Sequence, residues 1–276
     1  MAFFEISIQV NPDFNEILIA ELAELGYDSF QEEESQLLAY ITPQVYKEKD
    51  LKALSDKYSS LFSFKFQQGI LEDKNWNKIW EENFKCVELD DRCLVRTQNF
   101  KPTKSYQYEI IVNPAMAFGT GHHATTQLMM KELFKIEEWK SKSLLDVGCG
   151  SGILAILGKT LGSRYVSAID LDKKSTDNTK ENCELNNVEF LITQATIQEL
   201  EWSESYNVLV ANINKNVLLT DLPYYKKAVK KGGNLLLSGF HESDIKDLEK
   251  AAKGFTLNWT SKKEEWVSMN LTRNEE

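Results

Sequence analysis

The ten residues Ser143 to Gly152, S-L-L-D-V-G-C-G-S-G, constrain this chain more than any other stretch. A short apolar run predicts a buried strand, the glycines Gly148, Gly150 and Gly152 break it, and a helical pattern begins at Ile153. A strand that turns into a helix through glycines lets a ligand approach the backbone, because no Cβ stands in the way. The spacing is G-x-G-x-G after Asp146. Dinucleotide sites carry G-x-G-x-x-G, and there a helix N-terminus receives a pyrophosphate. An acidic residue beside the turn repels a diphosphate and suits a cation. S-adenosylmethionine, with its sulfonium and ammonium, is a ligand of that kind.

The sequence beyond the turn alternates between strand and helix. The helix Ile153 to Leu161 is followed by a strand at Tyr165 to Asp172, a helix at Lys173 to Asn187 and a strand at Val188 to Thr193. A fourth strand, Tyr206 to Ile213, precedes a helix at Val217 to Val229, a strand at Asn234 to Phe240 and a helix at Ser243 to Lys253. Such alternation predicts an α/β domain with a parallel sheet. Two last strand-like runs, Phe255 to Ser261 and Glu265 to Leu271, have no helix between them and predict an antiparallel hairpin. That ending is foreign to nicotinamide domains and usual for class I methyltransferases. Asp170 stands 22 positions beyond Gly148, where the second strand ends and an acid accepts both ribose hydroxyls of an adenosine-containing ligand. Capping the next helix is the other use for such an acid, and Asp172 suits that better. Asn212 ends the fourth strand, and its amide offers a donor and an acceptor that orient an amine without charging it.

Upstream, N-P-A-M-A-F-G-T-G-H-H-A-T-T (Asn113 to Thr126) reads as a loop closely applied to something, then a helix with Leu128, Met129, Leu133 and Phe134 on one face. Thr125 and Thr126 are candidates to cap it. His122 and His123 lack the clustered partners that metal binding needs. The first 70 residues follow the order βαββαβ of a ferredoxin-like unit, with Ile17, Leu18, Leu22 and Leu25 inward on one helix and Leu51 and Leu54 on the other. That second helix is expected over Val45 to Tyr58, and Phe62, Phe64 and Phe66 alternate as the last strand. A linker helix over residues 71–84 carries Trp76 and Trp80 as a packing stripe.

Length and charge bound the partners. A chain of 276 residues suits two domains. The four cysteines form no C-x-x-C pair and no apolar run approaches a membrane span, so a cytoplasmic protein without membrane contact is expected. A net charge of −10 argues against nucleic-acid binding and allows a basic partner. Before Lys47 stand nine acidic residues and no basic one, which suits either a solvated acidic face or, confined to a separate domain, a docking surface for something cationic.

Four stretches together resemble one family: A-F-G-T-G-H-H-A-T-T at Ala117 to Thr126, D-V-G-C-G-S-G at Asp146 to Gly152, A-I-D-L-D at Ala168 to Asp172, and A-N-I at Ala211 to Ile213. The chain resembles the ribosomal protein L-eleven (L11) methyltransferases, the PrmA family, whose first motif is the discriminating one. The resemblance implies a class I methyltransferase with a Rossmann-like seven-stranded sheet over residues 85–276, behind a small α+β recognition domain over residues 1–70. It implies methylation of lysine side chains and the amino terminus of ribosomal protein L11 by S-adenosylmethionine. The family's cofactor contacts fall on Thr126, Gly148, Asp170 and Asn212, with Asn212 also catalytic. Gly150 joins them from the backbone argument above. Ala124 departs from the proline or glutamate that relatives often carry, a change in loop stiffness and not in chemistry. A nicotinamide oxidoreductase, a non-catalytic scaffold, and a methyltransferase acting on RNA or a small molecule are the competing readings. The short glycine spacing weighs against the first, the intact Asp170 and Asn212 against the second, and the acidic leading domain against RNA in the third.

Overall fold

Alternating apolar residues make the first strand, which lies inside a four-stranded sheet between two antiparallel neighbours. The structure, a computed structural model, describes residues 3–27, 29–33, 36–59, 61–71, 85–113, 119–203 and 205–275, in two units, Met1–Ile79 and Trp80–Glu276. In the first unit β1 (Phe3–Gln9) leads through a short 3-10 turn into α1 (Asn15–Glu24), followed by β2 (Ser29–Glu33), β3 (Gln36–Ile41), α2 (Glu48–Tyr58) and β4 (Lys65–Leu71). The strands lie in the order β2-β3-β1-β4, every pair antiparallel. This is the ferredoxin-like arrangement that βαββαβ connectivity produces. Ile6 and Ile8, Leu18 and Leu22, and Leu51 and Leu54 share one core.

Several local expectations are corrected. Ile17 is 40% exposed, because a residue at 100° from Leu18 and further from Leu22 cannot share their face. Val45 sits in a turn with its N–H bonded to the Thr42 carbonyl, so α2 starts only at Glu48. Phe62 and Phe64 are buried ahead of β4 and do not alternate within it. Phe62 stacks on Phe14 at 4.4 Å, an aromatic contact that replaces strand pairing. One member of the acidic run is paired in space: Glu21 accepts from Lys57 Nζ and from the Tyr58 hydroxyl, both at 2.7 Å. Beyond Leu71, the expected linker helix with Trp76 and Trp80 lies outside the described residues.

The second unit opens with β5 (Val87–Leu89), β6 (Cys93–Arg96) and β7 (Tyr108–Ile111), which form a small sheet in that order. Then come α3 (Ala124–Phe134), β8 (Ser143–Val147), α4 (Ile153–Thr160), β9 (Tyr165–Asp170), α5 (Lys173–Leu185), β10 (Leu191–Gln194), β11 (Tyr206–Asn212) and α6 (Lys215–Ala228). β12 (Val229–His241), α7 (Ile245–Ala251), β13 (Phe255–Lys263) and β14 (Trp266–Arg273) complete it. The sheet order is β10-β9-β8-β11-β12-β14-β13, parallel except that β14 runs against both its neighbours. The terminal hairpin is therefore present, with β14 inserted between β12 and β13.

Side-chain alternation builds two cores. Leu144, Val208 and Val210 face the helices α3, α4 and α5, while Leu145, Leu209 and Ala211 face α6 and α7. The same parity carries Asp146 and Asn212 to the α3–α5 side. After β8 the chain winds one way through β9 and β10, then returns to β11 on the other side of β8. Open α/β sheets bind ligands at the carboxyl ends of strands beside such a reversal.

Candidate active site

At the carboxyl end of β8 the glycines do what their positions demand. Gly148 has φ +71°, and a Cβ there would stand 2.4 Å from Ile213 Cγ2, so no side chain fits between the turn and the end of β11. Gly150, at φ +55°, turns its N–H to Asp170 Oδ2 at 2.9 Å. Ser151 Oγ donates to the Gly119 carbonyl at 2.7 Å, so the upstream loop is applied to this turn. Asn182 on α5 ties the two together. Its amide donates to the Ser151 carbonyl at 2.8 Å and accepts from the Asn113 N–H at 2.7 Å, with the side chain fully buried. One helical turn on, the Asn186 amide pairs with both the N–H and the carbonyl of Ile111.

Asp146 is not at the ligand surface. It is 1% exposed, and its Oδ2 accepts from the Ala155 N–H at 3.1 Å, inside the first turn of α4. Burial pushes its pKa up to about 7, with the charge of Asp170 adding to the shift and the Ala155 hydrogen bond opposing it. The expectation that Asp146 attracts a cation directly is corrected: it supports the turn from behind. Cys149 is buried too, and desolvation drives its thiol well above the ordinary range, which removes it as a nucleophile.

Asp170 and Asp172 separate as their positions require. Asp172 is the N-cap of α5 and accepts from the Lys174 N–H. Asp170 ends β9, with Oδ2 on Gly150 N and Oδ1 on Asp172 N, both at 2.9 Å. Asn212 ends β11. Its Nδ2 donates to Thr126 Oγ1 at 3.4 Å, and its Oδ1 is buried with no partner among the described residues. The expectation that Thr125 or Thr126 caps α3 is corrected: His123 is the N-cap, and its ring nitrogen accepts from the Thr125 N–H. Both threonines lie inside the first turn, 1% exposed.

These elements enclose a cleft of about 540 Å³. Gly148, Gly150, Asp170 and Asn212 line it, and Thr126 stands behind Asn212. Trp266 also lines it, with its ring 4.4 Å from His241 and 4.9 Å from His123. Sequence reasoning missed Trp266, because it enters from the far end of the chain. It missed the asparagine row of α5 as well, although Asn178, Asn182 and Asn186 recur every four residues. Among the described residues, no group of three or more His, Cys, Asp or Glu side chains could hold a metal ion.

The comparisons with known proteins agree with this architecture. A family model described as ribosomal protein L11 methyltransferase (PrmA) matches residues 6–274. The chain is 37% identical to the ribosomal protein L11 methyltransferase of Bacteroides fragilis, over 98% of this chain and 99% of that one. It is 40% identical to that of Porphyromonas gingivalis, over 93% and 90%. Its fold is similar to a crystal structure of the ribosomal protein L11 methylase from Lactobacillus delbrueckii subsp. bulgaricus, with a TM-score of 0.64 and 25% identity, over 70% of this chain and 100% of that one. Matched almost from end to end, the chain belongs to the PrmA family of ribosomal protein L11 methyltransferases.

Proposed function

We propose that this enzyme methylates amines of ribosomal protein L11, lysine side chains and the amino terminus, using S-adenosylmethionine held in the cleft at the ends of β8, β9 and β11. The observation that carries the reading is the buried Oδ1 of Asn212, which has no partner among the described residues. A buried acceptor without a donor costs about 1–3 kcal/mol, and an incoming amine N–H removes that cost.

The residues fit the cofactor. Each Asp170 oxygen accepts one backbone N–H and keeps a lone pair for a ribose hydroxyl. Gly148 and Gly150 turn bare backbone to the cleft where the methionine portion would lie, and Ile213 packs against the far side of Gly148. S-adenosylmethionine supplies an electrophilic methyl group on a sulfonium. The chain's own residues then have two tasks, to align the amine and to present it without its proton. Asn212 Oδ1 accepts one amine hydrogen and so directs the nitrogen lone pair, while Thr126 Oγ1 fixes the plane of the Asn212 amide through Nδ2. Desolvation between Trp266 and the strand ends lowers the pKa of a lysine ammonium, which gives up its proton to solvent as it enters.

In this reading residues 1–70 capture the substrate through the acidic residues that remain after Glu21 is neutralised by Lys57. The partner is a basic protein and not a nucleic acid, and the reaction belongs in the cytoplasm. The experiment is intact-mass analysis of purified ribosomal protein L11 incubated with the enzyme and S-adenosylmethionine. Mass gains in methyl-sized steps are expected, and an unchanged mass contradicts the assignment.

A further inference from the structure

The terminal hairpin is fastened to α3 at two heights. Halfway along, the buried Glu132 carboxylate accepts from Trp259 and Ser261 of β13. At the tip Lys263, the last residue of β13, gives its ammonium to Gln127 Oε1 in the first turn of α3. With its oxygen so engaged, the Gln127 amide presents its nitrogen in one direction only. Nε2 donates to the Gly121 carbonyl at 3.0 Å and to the His122 carbonyl at 3.1 Å. One glutamine therefore joins the hairpin tip, α3 and the loop that leads into α3.

Both ends of this junction reach the cleft, although neither Gln127 nor Lys263 lines it. Thr126, the residue before Gln127, accepts from Asn212 Nδ2. On the hairpin side Trp266 lines the cleft three residues beyond Lys263 and meets the His123 ring at 4.9 Å. Between Lys263 and Trp266 the chain turns in two residues, and Glu264 takes φ +56°. A glutamate holds that conformation only where its surroundings fix the chain on both sides. Lys263 on Gln127 is the fastening on one side, and His241 Nδ1, 3.2 Å from the Glu265 carbonyl, is the fastening on the other.

Resting on the methyl-transfer reading above, we propose that Lys263 and Gln127 are positioning residues for the transfer step, locking the hairpin tip onto the first turn of α3 so that Thr126, and through it the Asn212 amide, is fixed opposite Trp266. The lock is directional. An ammonium donates and cannot accept, so it satisfies only the oxygen of the Gln127 amide and decides which end of that amide faces the loop. Without it the amide turns freely, and the Gly121 and His122 carbonyls lose their shared donor.

The test is single-turnover methyl transfer to ribosomal protein L11 at saturating S-adenosylmethionine, on the full-length protein, with affinity for S-adenosylhomocysteine measured alongside by calorimetry. Lys263→Met keeps the apolar stem and removes the donor. Its rate is expected to fall roughly tenfold, the scale of a slightly misplaced reacting group, with affinity unchanged within about threefold. Lys263→Arg returns a donor to the same oxygen and should recover most of the rate. Gln127→Glu keeps an acceptor for Lys263 but has no N–H for the two loop carbonyls, so it should fall as far as Lys263→Met. The double variant should be no slower than either single one, because both break the same lock. A folded Lys263→Met at the wild-type rate, an affinity loss as large as the rate loss, no recovery in Lys263→Arg, or losses that multiply in the double variant would each overturn the proposal. Should Lys263→Met not fold, Gln127→Glu carries the same comparison. If wild type transfers no methyl group, the methylation reading has failed; if it does and Lys263→Met keeps pace, only the lock is lost.

Discussion

Asp170 and Asp172 are two residues apart, and only the second caps a helix. The carboxylate of Asp170 is left to face the cleft from the end of β9, which is why it is the proposed ribose ligand. Asp170→Ala should weaken S-adenosylmethionine binding by about 1.5–3 kcal/mol, the scale of a hydrogen bond to a charged group. Calorimetry showing unchanged affinity in a folded variant removes Asp170 from the site. Asp146 makes the opposite case, a carboxylate that the fold has hidden. Its pKa is raised from the ordinary 3.8 to about 7, so its contribution to stability is full below about pH 4 and is lost as pH rises toward 7. Asp146→Asn keeps an acceptor for the Ala155 N–H and removes the buried charge. The difference in melting temperature, variant minus wild type, should therefore grow between pH 4 and 7 and level off above that. A difference that is flat with pH would show that Asp146 titrates as an ordinary carboxyl.

Single elements bring residues together that sequence spacing does not connect. α5 is the clearest case. Its buried Asn182 bridges the Ser151 carbonyl in the glycine turn and the Asn113 N–H at the root of the upstream loop. Asn182→Leu leaves both backbone groups without their partner and should cost about 2–4 kcal/mol in urea denaturation. An unchanged midpoint would mean that water replaces the amide without loss. The terminal hairpin is fastened in a similar way: the fully buried Glu132 of α3 accepts from Trp259 Nε1 at 2.7 Å and from Ser261 Oγ at 2.6 Å. That junction sets β13, the hairpin partner of the strand bearing Trp266, against the helix whose cap is His123. What was legible in the sequence were features with local causes. Glycines at a strand end, an acid at the next strand end and an asparagine at a third all follow from the periods of strand and helix. Trp266, Asn182 and the burial of Asp146 were not legible, because each depends on which way a side chain points once distant elements pack. The expected helix start at Val45 and the expected cap at Thr125 or Thr126 differ from the structure for a related reason. A turn hydrogen bond claimed the first, and the His123 ring outcompeted a threonine hydroxyl for the second.

At the scale of the whole molecule, the two units divide the proposed labour. All the residues that line the proposed cofactor cleft lie beyond Asn113, whereas the acidic run lies before Lys47. A shortened chain beginning at residue 71 should bind S-adenosylmethionine as the full chain does and lose methylation of ribosomal protein L11. Capture of the substrate by the full chain should weaken with added salt as exposed charges are screened. Undiminished multi-site methylation by the shortened chain would reduce the acidic run to an ordinary solvated face. Asn212 is the residue proposed to join the cofactor cleft to the acceptor amine. The most direct test of that role is single-turnover methyl transfer to ribosomal protein L11 at saturating S-adenosylmethionine, followed by intact mass for wild type and Asn212→Ala. The account predicts methyl-sized gains for wild type and a rate at least about tenfold lower for Asn212→Ala, with a smaller loss of cofactor affinity. Equal rates in the two proteins, or no mass gain with wild type, would contradict it.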